Sequence, residues 1–370
     1  MKKPLSFLFA IGVAAASCGS DSASSGGDTN GGADSSEAAT FATISPDDVA
    51  AADSSGLTVT LVTHESFTVT EGIFDSFTEE TGITVELISS GDAGEVVSRA
   101  VLTAGEPEGD VLFGIDNTFL QRGLDADIFM AYESVHLNAV PADLKLDDAH
   151  RVTPIDVGDV CVNYWTDALP GEAPLTMDDL KKPENAASFV TENPETSSPG
   201  FAFLLATIAT YGDDWEAYWE DLAAGGITIE AGWSEAYYEQ FAAGGGDKSI
   251  VTSYATSPVA EVLFADPAVD VAPTGVLVDS CFRQIEFAGV LAGTEQPEEA
   301  AKLVDFLLSP TFQADVPLNM FVAPANGDVE LPPEFVEHGV VVDNPLTLDP
   351  ADIEANRLHW TERWNEIVFG

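Results

Sequence analysis

The chain has 370 residues, of which 63 are acidic and 13 basic, so its formal net charge at pH 7 is −50. Hydrophobic residues make up 45% of the sequence, which is typical of a globular protein and not of a disordered one. The charge argues against nucleic acid as a partner, because a phosphate backbone is bound by clustered Lys and Arg. A cationic ligand fits better, and the length suggests about two domains.

The first 18 residues have the pattern of a bacterial export signal. Lys2 and Lys3 precede an apolar run, Pro4 to Ser17, that is too short to span a bilayer. The small residues before Cys18 resemble the lipobox of bacterial lipoproteins, in which the cleaved chain keeps that Cys as a lipid-modified first residue. The alternative is an ordinary secretory signal with an incidental Cys. We therefore expect an extracytoplasmic protein, either periplasmic or held by lipid at the outer face of a membrane.

A tether is expected between this signal and the folded protein. Gly19 to Ala39 has almost no large apolar side chain, so burial cannot offset the entropy of ordering it. We predict a disordered Gly/Ser/Asp-rich tether at residues 19–55. No later segment has 18 uninterrupted apolar residues, so we expect the rest of the chain to lie outside the membrane.

Cys161 and Cys281 are the two cysteines that remain after the signal. In an oxidising compartment they are candidates for a disulfide, and closing so long a loop could stabilise the fold by about 4–5 kcal/mol. The alternative is two reduced thiols that are buried as small hydrophobic groups. We predict the disulfide.

Strand and helix patterns alternate along the rest of the chain, and the first predicted strand is followed by a helix that carries Ile73, Phe74 and Phe77 and ends at Gly82. The predicted strands are 57–63, 83–88, 110–115, 159–164, 226–230 and 249–253; further predicted helices are 94–102, 201–211, 214–223, 297–308 and 349–368. This alternation predicts an α/β protein with parallel strands in two lobes. We place lobe 1 at 56–158 with 283–340 returning to it, lobe 2 at 159–282, and a C-terminal helical segment at 341–370.

No catalytic motif is found in the sequence. It lacks a Gly-x-Ser-x-Gly elbow, an HExxH pair among its five His, and a Gly-rich phosphate loop followed by Lys. Carboxylate pairs of the kind that glycosidases use arise by chance among 63 acids. We therefore expect no catalytic residue, cofactor or metal site. We expect instead a cleft between hinged lobes that closes over a small ligand.

Six segments match those of a known family, in the same order along the chain. They are THESF at 63–67, DVLFGIDN at 110–117, TSSPG at 196–200, GWSEAY at 232–237, SYATSP at 253–258 and LSPTFQ at 308–313. They resemble the thiamine-binding proteins of bacterial ABC importers, and the similarity runs across most of residues 57–340. LSPTFQ is shared by many solute receptors, whereas GWSEAY followed by SYATSP is much more specific.

The resemblance implies a type II periplasmic-binding-protein fold, with two α/β lobes joined by a hinge and the ligand in the cleft between them. It implies thiamine or thiamine phosphate as ligand, and an ABC permease with its ATPase as partners. The family's ligand contacts fall on Asp92, Ala93, Ser197, Ser198, Trp233, Tyr254, Ala255, Thr256 and Ser257. His64, Glu65 and Met320 replace aromatic or acidic residues usual in the family and are further candidate contacts. We expect a monomer that performs no chemistry.

The chemistry of thiamine suits these residue types. Its thiazolium ring is flat and permanently positive, so an aromatic face attracts it and a carboxylate offsets its charge. Trp233 and Tyr254 are candidate faces and Asp92 is the candidate carboxylate. The serines and Thr256 suit a hydroxyethyl or phosphate group. The structural alternatives are a solvated loop acid for Asp92, a helix cap for the two serines of TSSPG, and packing for Trp233.

Other ligands and one other class of protein remain open. Adjacent tyrosines such as Tyr237 and Tyr238 are often used by ferric-ion receptors, because phenolates suit Fe³⁺. A polyamine such as putrescine would also be held by aromatic faces and acids. A pyrimidine precursor of thiamine is a third ligand. A carbohydrate-active enzyme is the alternative from a different class.

Overall fold

The computed structural model describes residues 41–370 except 53, 90 and 175, and except the side chain of residue 243. The predicted signal peptide, Cys18 and tether residues 19–40 lie outside the described residues. The tether boundary at residue 55 is wrong, because helix α1, Pro46–Ala51, is ordered against the folded protein. Ile44 and Val49 are buried there, and this apolar burial is what the preceding Gly/Ser-rich segment cannot supply.

The described residues contain nine strands, 14 α-helices and several short 3₁₀ turns. The strands are β1 (Thr58–Thr63), β2 (Thr84–Ser89), β3 (Val111–Asp116), β4 (Thr153–Trp165), β5 (Phe189–Glu192), β6 (Thr228–Glu230), β7 (Ile250–Tyr254), β8 (Thr274–Val290) and β9 (Ala323–Pro324). After α1 the helices are α2 (Asp75–Thr81), α3 (Ala93–Leu102), α4 (Leu120–Asp125), α5 (Met177–Leu180), α6 (Pro183–Ala187), α7 (Ser198–Tyr211), α8 (Trp215–Gly225), α9 (Ser257–Leu263), α10 (Pro297–Leu308), α11 (Pro310–Gln313), α12 (Val316–Asn319), α13 (Pro333–His338) and α14 (Pro350–Phe369). A π-helix spans Glu235–Gln240.

All strands belong to one mixed sheet. Its order is β2-β1-β3-β8-β4-β7-β5-β6, with β9 paired to β4. The outer strands pair in parallel, β1 with β2 and β3, and β5 with β6 and β7. β4 and β8 are the longest strands, with 13 and 17 residues, and pair antiparallel at the centre. They join what we call the first half, β1–β3 with α2–α4, to the second half, β5–β7 with α7–α9.

Local sequence signals account for most of the outer elements. Helix α10 has the predicted bounds, with Pro297 in its first turn and an apolar face on the core. Helix α2 ends at Gly82, whose φ of 76° is the left-handed conformation that glycine adopts without strain. No helix among the described residues is both long and apolar enough to cross a membrane.

The C-terminal helix α14 contacts both halves. Trp364 is fully buried, with its ring 5.5 Å from that of Trp219 on α8. Arg357 donates a hydrogen bond to the carbonyl of Thr118 in the first half. Its guanidinium lies 4.2 Å from the ring centroids of Phe119 and Phe201, which belong to opposite halves. The helix therefore ties the two halves together, at the N-terminal ends of α4 and α7 and at the middle of α8.

The predicted disulfide is confirmed. Cys161 on β4 and Cys281 on β8 are bonded, with their Cα atoms 4.2 Å apart and a sequence separation of 120. Both cysteines are buried beside Ala255 and Val342. The bond thus crosslinks the two central strands on which both halves depend.

Removing this crosslink should destabilise the fold. We expect Cys161→Ala/Cys281→Ala to lower the free energy of unfolding by about 2–5 kcal/mol, because the unfolded chain regains the entropy of a long open loop. Urea titration followed by circular dichroism, under non-reducing conditions, measures the change. The single variant Cys281→Ala should lose as much as the double variant. An unchanged midpoint in the double variant would contradict a stabilising role.

Candidate functional site

A cavity of about 720 Å³ lies where the two halves face each other. The loop after β1 and the start of α3 line it from the first half, at His64, Glu65, Asp92 and Ala93. The second half contributes residues that follow β6 and β7, including Trp233, Tyr254 and Ser257. The central strand β8 supplies Gln284 and Glu286, and the segment after α12 supplies Met320 and Phe321. The site is therefore built at strand ends, where open α/β sheets bind ligands.

Aromatic rings form one wall of the cavity. The rings of Trp233 and Tyr254 lie 6.3 Å apart at an interplanar angle of 63°, so they make a corner. Trp233 is stacked on Tyr237 at 4.8 Å, and its indole N–H donates to Ser253 Oγ at 3.0 Å. These contacts hold the indole in place without a ligand. Such a corner can contact a flat cation on two sides.

Asp92 connects the two halves at this wall. Its Oδ1 accepts from the backbone N–H of Ala93 at 2.6 Å, and its Oδ2 accepts from that of Trp233 at 2.9 Å. It therefore caps α3 and also positions the aromatic corner. The pKa of Asp92 is raised to about 6, and burial is the largest cause of this shift. The two backbone hydrogen bonds lower the pKa but do not cancel the effect of burial. Each oxygen already accepts one backbone hydrogen bond, so part of the acceptor capacity of Asp92 is used within the protein, while its charge remains available to a ligand.

Negative charge dominates the lining. Among the described lining residues five are acidic, Glu65, Asp92, Glu261, Asp266 and Glu286, and none is Lys or Arg. His64 does not offset this charge, since burial lowers its pKa to about 4 and leaves it neutral at pH 7. Its ring fits because residue 114 is Gly, where a Cβ would lie 2.4 Å from the His64 ring. The cavity thus favours a cation.

Most of the residues predicted as ligand contacts come together here. Asp92, Ala93, Ser198, Trp233, Tyr254 and Ser257 all line the cavity, as do the further candidates His64, Glu65 and Met320. Ser198 is almost fully buried, however, and its hydroxyl is hydrogen-bonded to Asp116 and Gln284. It lines the wall with little polar surface left to offer.

Three of the predicted contacts do not line the cavity. Ser197 is fully buried and its hydroxyl accepts from the N–H of Gly200, which is a helix cap. Ala255 is buried beside the disulfide. Thr256 donates its hydroxyl hydrogen to the carbonyl of Phe321. Each of these three side chains contacts other parts of the protein and not the cavity, so it stabilises the backbone around the site.

Sequence reasoning missed several lining residues. Tyr237 was assigned to a competing ferric site, but its hydroxyl hydrogen-bonds Glu261 beneath Trp233. Phe264 and Phe321 meet at 5.7 Å across the cavity rim. Glu286 gave one usable signal, because it is a lone charge in the apolar run Ile285 to Val290. A charge in such a run points to a buried acid with a specific role.

Comparison with known proteins identifies the family. The model of the family described as bacterial extracellular solute-binding protein matches residues 72–341. The chain belongs to this family. The solute-binding protein is 29% identical over 318 residues to the thiamine-binding periplasmic protein of Escherichia coli (strain K12), which covers 84% of this chain and 93% of that one.

Solved structures give the same fold. The structure of a periplasmic thiamin binding protein superposes with a TM-score of 0.74 at 25% identity, over 84% of this chain and 96% of that one. The ferric binding protein from Campylobacter jejuni superposes with a TM-score of 0.68 at 18% identity, over 84% and 99%. The predicted type II periplasmic-binding-protein fold is thereby confirmed for the solute-binding protein.

The buried acids of the cavity should make the empty protein more stable at acid than at alkaline pH. Burial raises the pKa of Asp92, Asp156 and Glu286 above the unfolded values, so the folded state binds more protons. The stabilisation is complete below about pH 4 and is lost as pH rises through about 6 and beyond. We expect the midpoint temperature to fall by about 2–5 °C from pH 5 to pH 8.

Differential scanning fluorimetry at constant ionic strength measures this slope. Asp156→Asn should flatten it, because one titrating carboxyl is removed. Glu106→Gln, which neutralises an exposed acid away from the cavity, is the matched control and should leave the slope unchanged. A midpoint that rises from pH 5 to pH 8, or a slope that Asp156→Asn leaves intact, would contradict the assignment.

Proposed function

We propose that this protein captures thiamine or a close analogue outside the cytoplasm and delivers it to an ABC permease powered by a cytoplasmic ATPase. The observation that carries the proposal is the composition of the cavity, which combines an aromatic corner with five acids and no described Lys or Arg. A flat organic cation gains both cation–π attraction and Coulomb attraction in such surroundings.

The site distinguishes a flat cation from other positively charged ligands. The thiazolium ring has two faces, and the rings of Trp233 and Tyr254 are set at 63° to each other with centroids 6.3 Å apart. A ring cation can contact one indole face and reach the phenol edge, whereas a flexible polyamine makes only small contacts with either. The charge of Asp92, held beside Trp233 by a backbone hydrogen bond, attracts either kind of cation, so the aromatic contact makes the difference.

Unphosphorylated thiamine fits better than its phosphates. Arg and Lys are the usual partners of phosphate, and none lines the cavity among the described residues. Ser197 and Thr256, which could have held a phosphate, use their hydroxyls within the protein. Two negative charges added to a lining that is already acidic would be repelled.

Ferric ion fits less well than an organic cation. Burial raises the pKa of both Tyr237 and Tyr238, which disfavours the phenolates that Fe³⁺ prefers. The hydroxyl of Tyr237 is hydrogen-bonded to Glu261, and the two phenol rings are nearly perpendicular, at 85°. Among the described residues no group of three His, Cys, Asp or Glu is placed to hold a metal ion.

The attachment, oligomeric state, domain motion and ligand contacts are also proposals. We propose lipid attachment at Cys18, action as a monomer, and hinge motion between lobe 1 (56–158 with 283–340) and lobe 2 (159–282). The proposed contacts are Asp92, Ala93, Trp233, Tyr254 and Ser257, with His64, Glu65 and Met320 at the edges. Ser197, Ser198, Ala255 and Thr256 are proposed to support these contacts. Hydrolysis of a chromogenic glycoside would reveal the enzymatic alternative.

Thiamine should quench tryptophan fluorescence and raise the midpoint of thermal unfolding. Trp233→Ala should abolish the quenching and weaken binding by about 10–100-fold, because it removes the main aromatic face. Trp360→Ala is the matched control, since Trp360 lies on α14 outside the cavity and should leave both effects intact. Thiamine monophosphate, thiamine diphosphate, putrescine and Fe³⁺ are titrated in parallel. Absence of any response to every form of thiamine would reject the proposal.

A further inference from the structure

Three carboxyl groups lie in one row across the centre of the sheet. Asp116 on β3 is paired with Glu286 on β8, and Glu286 is paired in turn with Asp156 on β4. Residues paired across neighbouring strands point to the same face, and like charges in such positions destabilise a sheet. All three are buried, with exposed fractions of 0%, 8% and 1%. The repulsion among three buried carboxylates is relieved only if a proton, hydrogen-bond donors or a ligand offset their charge.

Asp116 is fully committed within the protein. Its Oδ1 accepts from the N–H and hydroxyl of Thr118 at 2.8 and 2.6 Å, and from the N–H of Phe119 at 3.2 Å. Its Oδ2 accepts from Ser198 Oγ, and from Gln284 Nε2 at 2.6 Å. These five donors occupy both oxygens of the Asp116 carboxyl, which leaves neither free for a ligand.

Glu286 and Asp156 are placed differently. Each carboxyl faces the other across the β4–β8 pair, and Asp156 Oδ2 has no donor among the described atoms. The nearest group with a possible positive charge is His64, whose Nε2 is 3.5 Å from Glu286 Oε1, and burial keeps that ring neutral. Two buried acids in contact retain a proton between them. Glu286 lines the cavity, whereas Asp156 does not and lies on the far side of Glu286 from the cavity.

The shared proton leaves Glu286 with an oxygen acceptor toward the cavity. This acceptor lies in the same lining as the aromatic corner, and after burial the charge of Glu286 is the largest cause that raises the pKa of Tyr254. The Tyr254 ring packs over Gly158, which lies on β4 like Asp156. A Cβ at position 158 would be only 2.9 Å from the Tyr254 ring. A ligand whose charged ring occupies the aromatic corner would therefore present the edge of its second ring to Glu286.

We propose that Glu286, supported by Asp156, is a specificity-determining residue that accepts a hydrogen bond from an amino group on the uncharged aromatic ring of the ligand. The proposal rests on the proposed function and extends it, since the aromatic corner recognises the charged ring and Glu286 recognises the second one. In thiamine the donor is the amino group of the pyrimidine. A buried acceptor that stays unpaired is costly, so a ligand without this donor should be rejected.

Two ligands of equal charge test the proposal. Thiamine carries the amino group, and oxythiamine carries an oxygen at the same position. Isothermal titration of the wild-type protein should favour thiamine by at least about tenfold. Glu286→Met, which keeps the length of the side chain but has no acceptor, should reduce this ratio to within about threefold. Glu286→Gln keeps an acceptor oxygen and should retain most of the preference.

The controls separate recognition from folding. A simple N-methyl hydroxyethylthiazolium ion lacks the pyrimidine, so Glu286→Met should change its affinity only through the loss of charge, by the same factor as it changes the affinity for oxythiamine. If Glu286→Met does not fold, judged by loss of this binding, Glu286→Leu replaces it with the same expected ratio. Glu106→Gln controls for the loss of one negative charge and should leave every affinity unchanged.

The possible results separate the role of Glu286 from the identity of the ligand. A thiamine preference that survives in Glu286→Met, or one that is already absent in the wild type, would overturn the role of Glu286 while leaving thiamine as the ligand. Failure of the wild type to bind either ligand would instead reject the proposed function. Loss of the preference in Glu286→Gln as well as in Glu286→Met would also count against acceptor recognition, because Gln keeps the acceptor.

Discussion

Uncompensated negative charge in the cleft between the two halves is the constraint on which this structure depends. A carboxylate taken out of water is costly unless hydrogen bonds, a proton or a cation offset the cost. Asp116 is stabilised by five donors, and Asp92 by two backbone N–H groups. Glu286 and Asp156 have no such set of donors. The charge that remains is available to a ligand, and it sets the sign of the ligand that fits.

The fold places this charge where hinged halves meet. The central strands β4 and β8 run through both halves, so residues on them lie on the floor of the cavity whichever half moves. Asp92 and Ser198 reach from one half to a partner in the other, at Trp233 and Asp116. Polar contacts of this kind, together with those of α14, hold the two halves in this arrangement, and the contacts at the cleft must break if the halves open to release a ligand.

The sequence predicted the outer elements well because their signals are local. Pro297 and the apolar face of α10, or the left-handed Gly82 after α2, depend only on a few neighbouring residues. The length of β8 was not foreseen, since Thr274–Val290 is buried over most of its length and carries no clean alternation of apolar and polar residues. Its pairing with β3 and β4 joins residues more than 100 positions apart.

The site was predicted in part for the same reason. Trp233 and Tyr254 were recognised from short motifs and do line the cavity. Ser197 and Thr256 also lie in such motifs, but their hydroxyls are hydrogen-bonded to the backbone. A linear pattern cannot distinguish this local role from contact with a ligand. The acid row of Asp116, Glu286 and Asp156 depends on strand register across the whole chain. No local pattern contains that information.

The central claim is that the cleft recognises positive charge on a flat ring. Isothermal titration with thiamine and with 3-deazathiamine tests it most directly, because the second molecule has the same shape but a neutral ring in place of the thiazolium. We expect the neutral molecule to bind at least about 30-fold more weakly, since it loses both cation–π and Coulomb attraction. Equal affinities for the two molecules would contradict it.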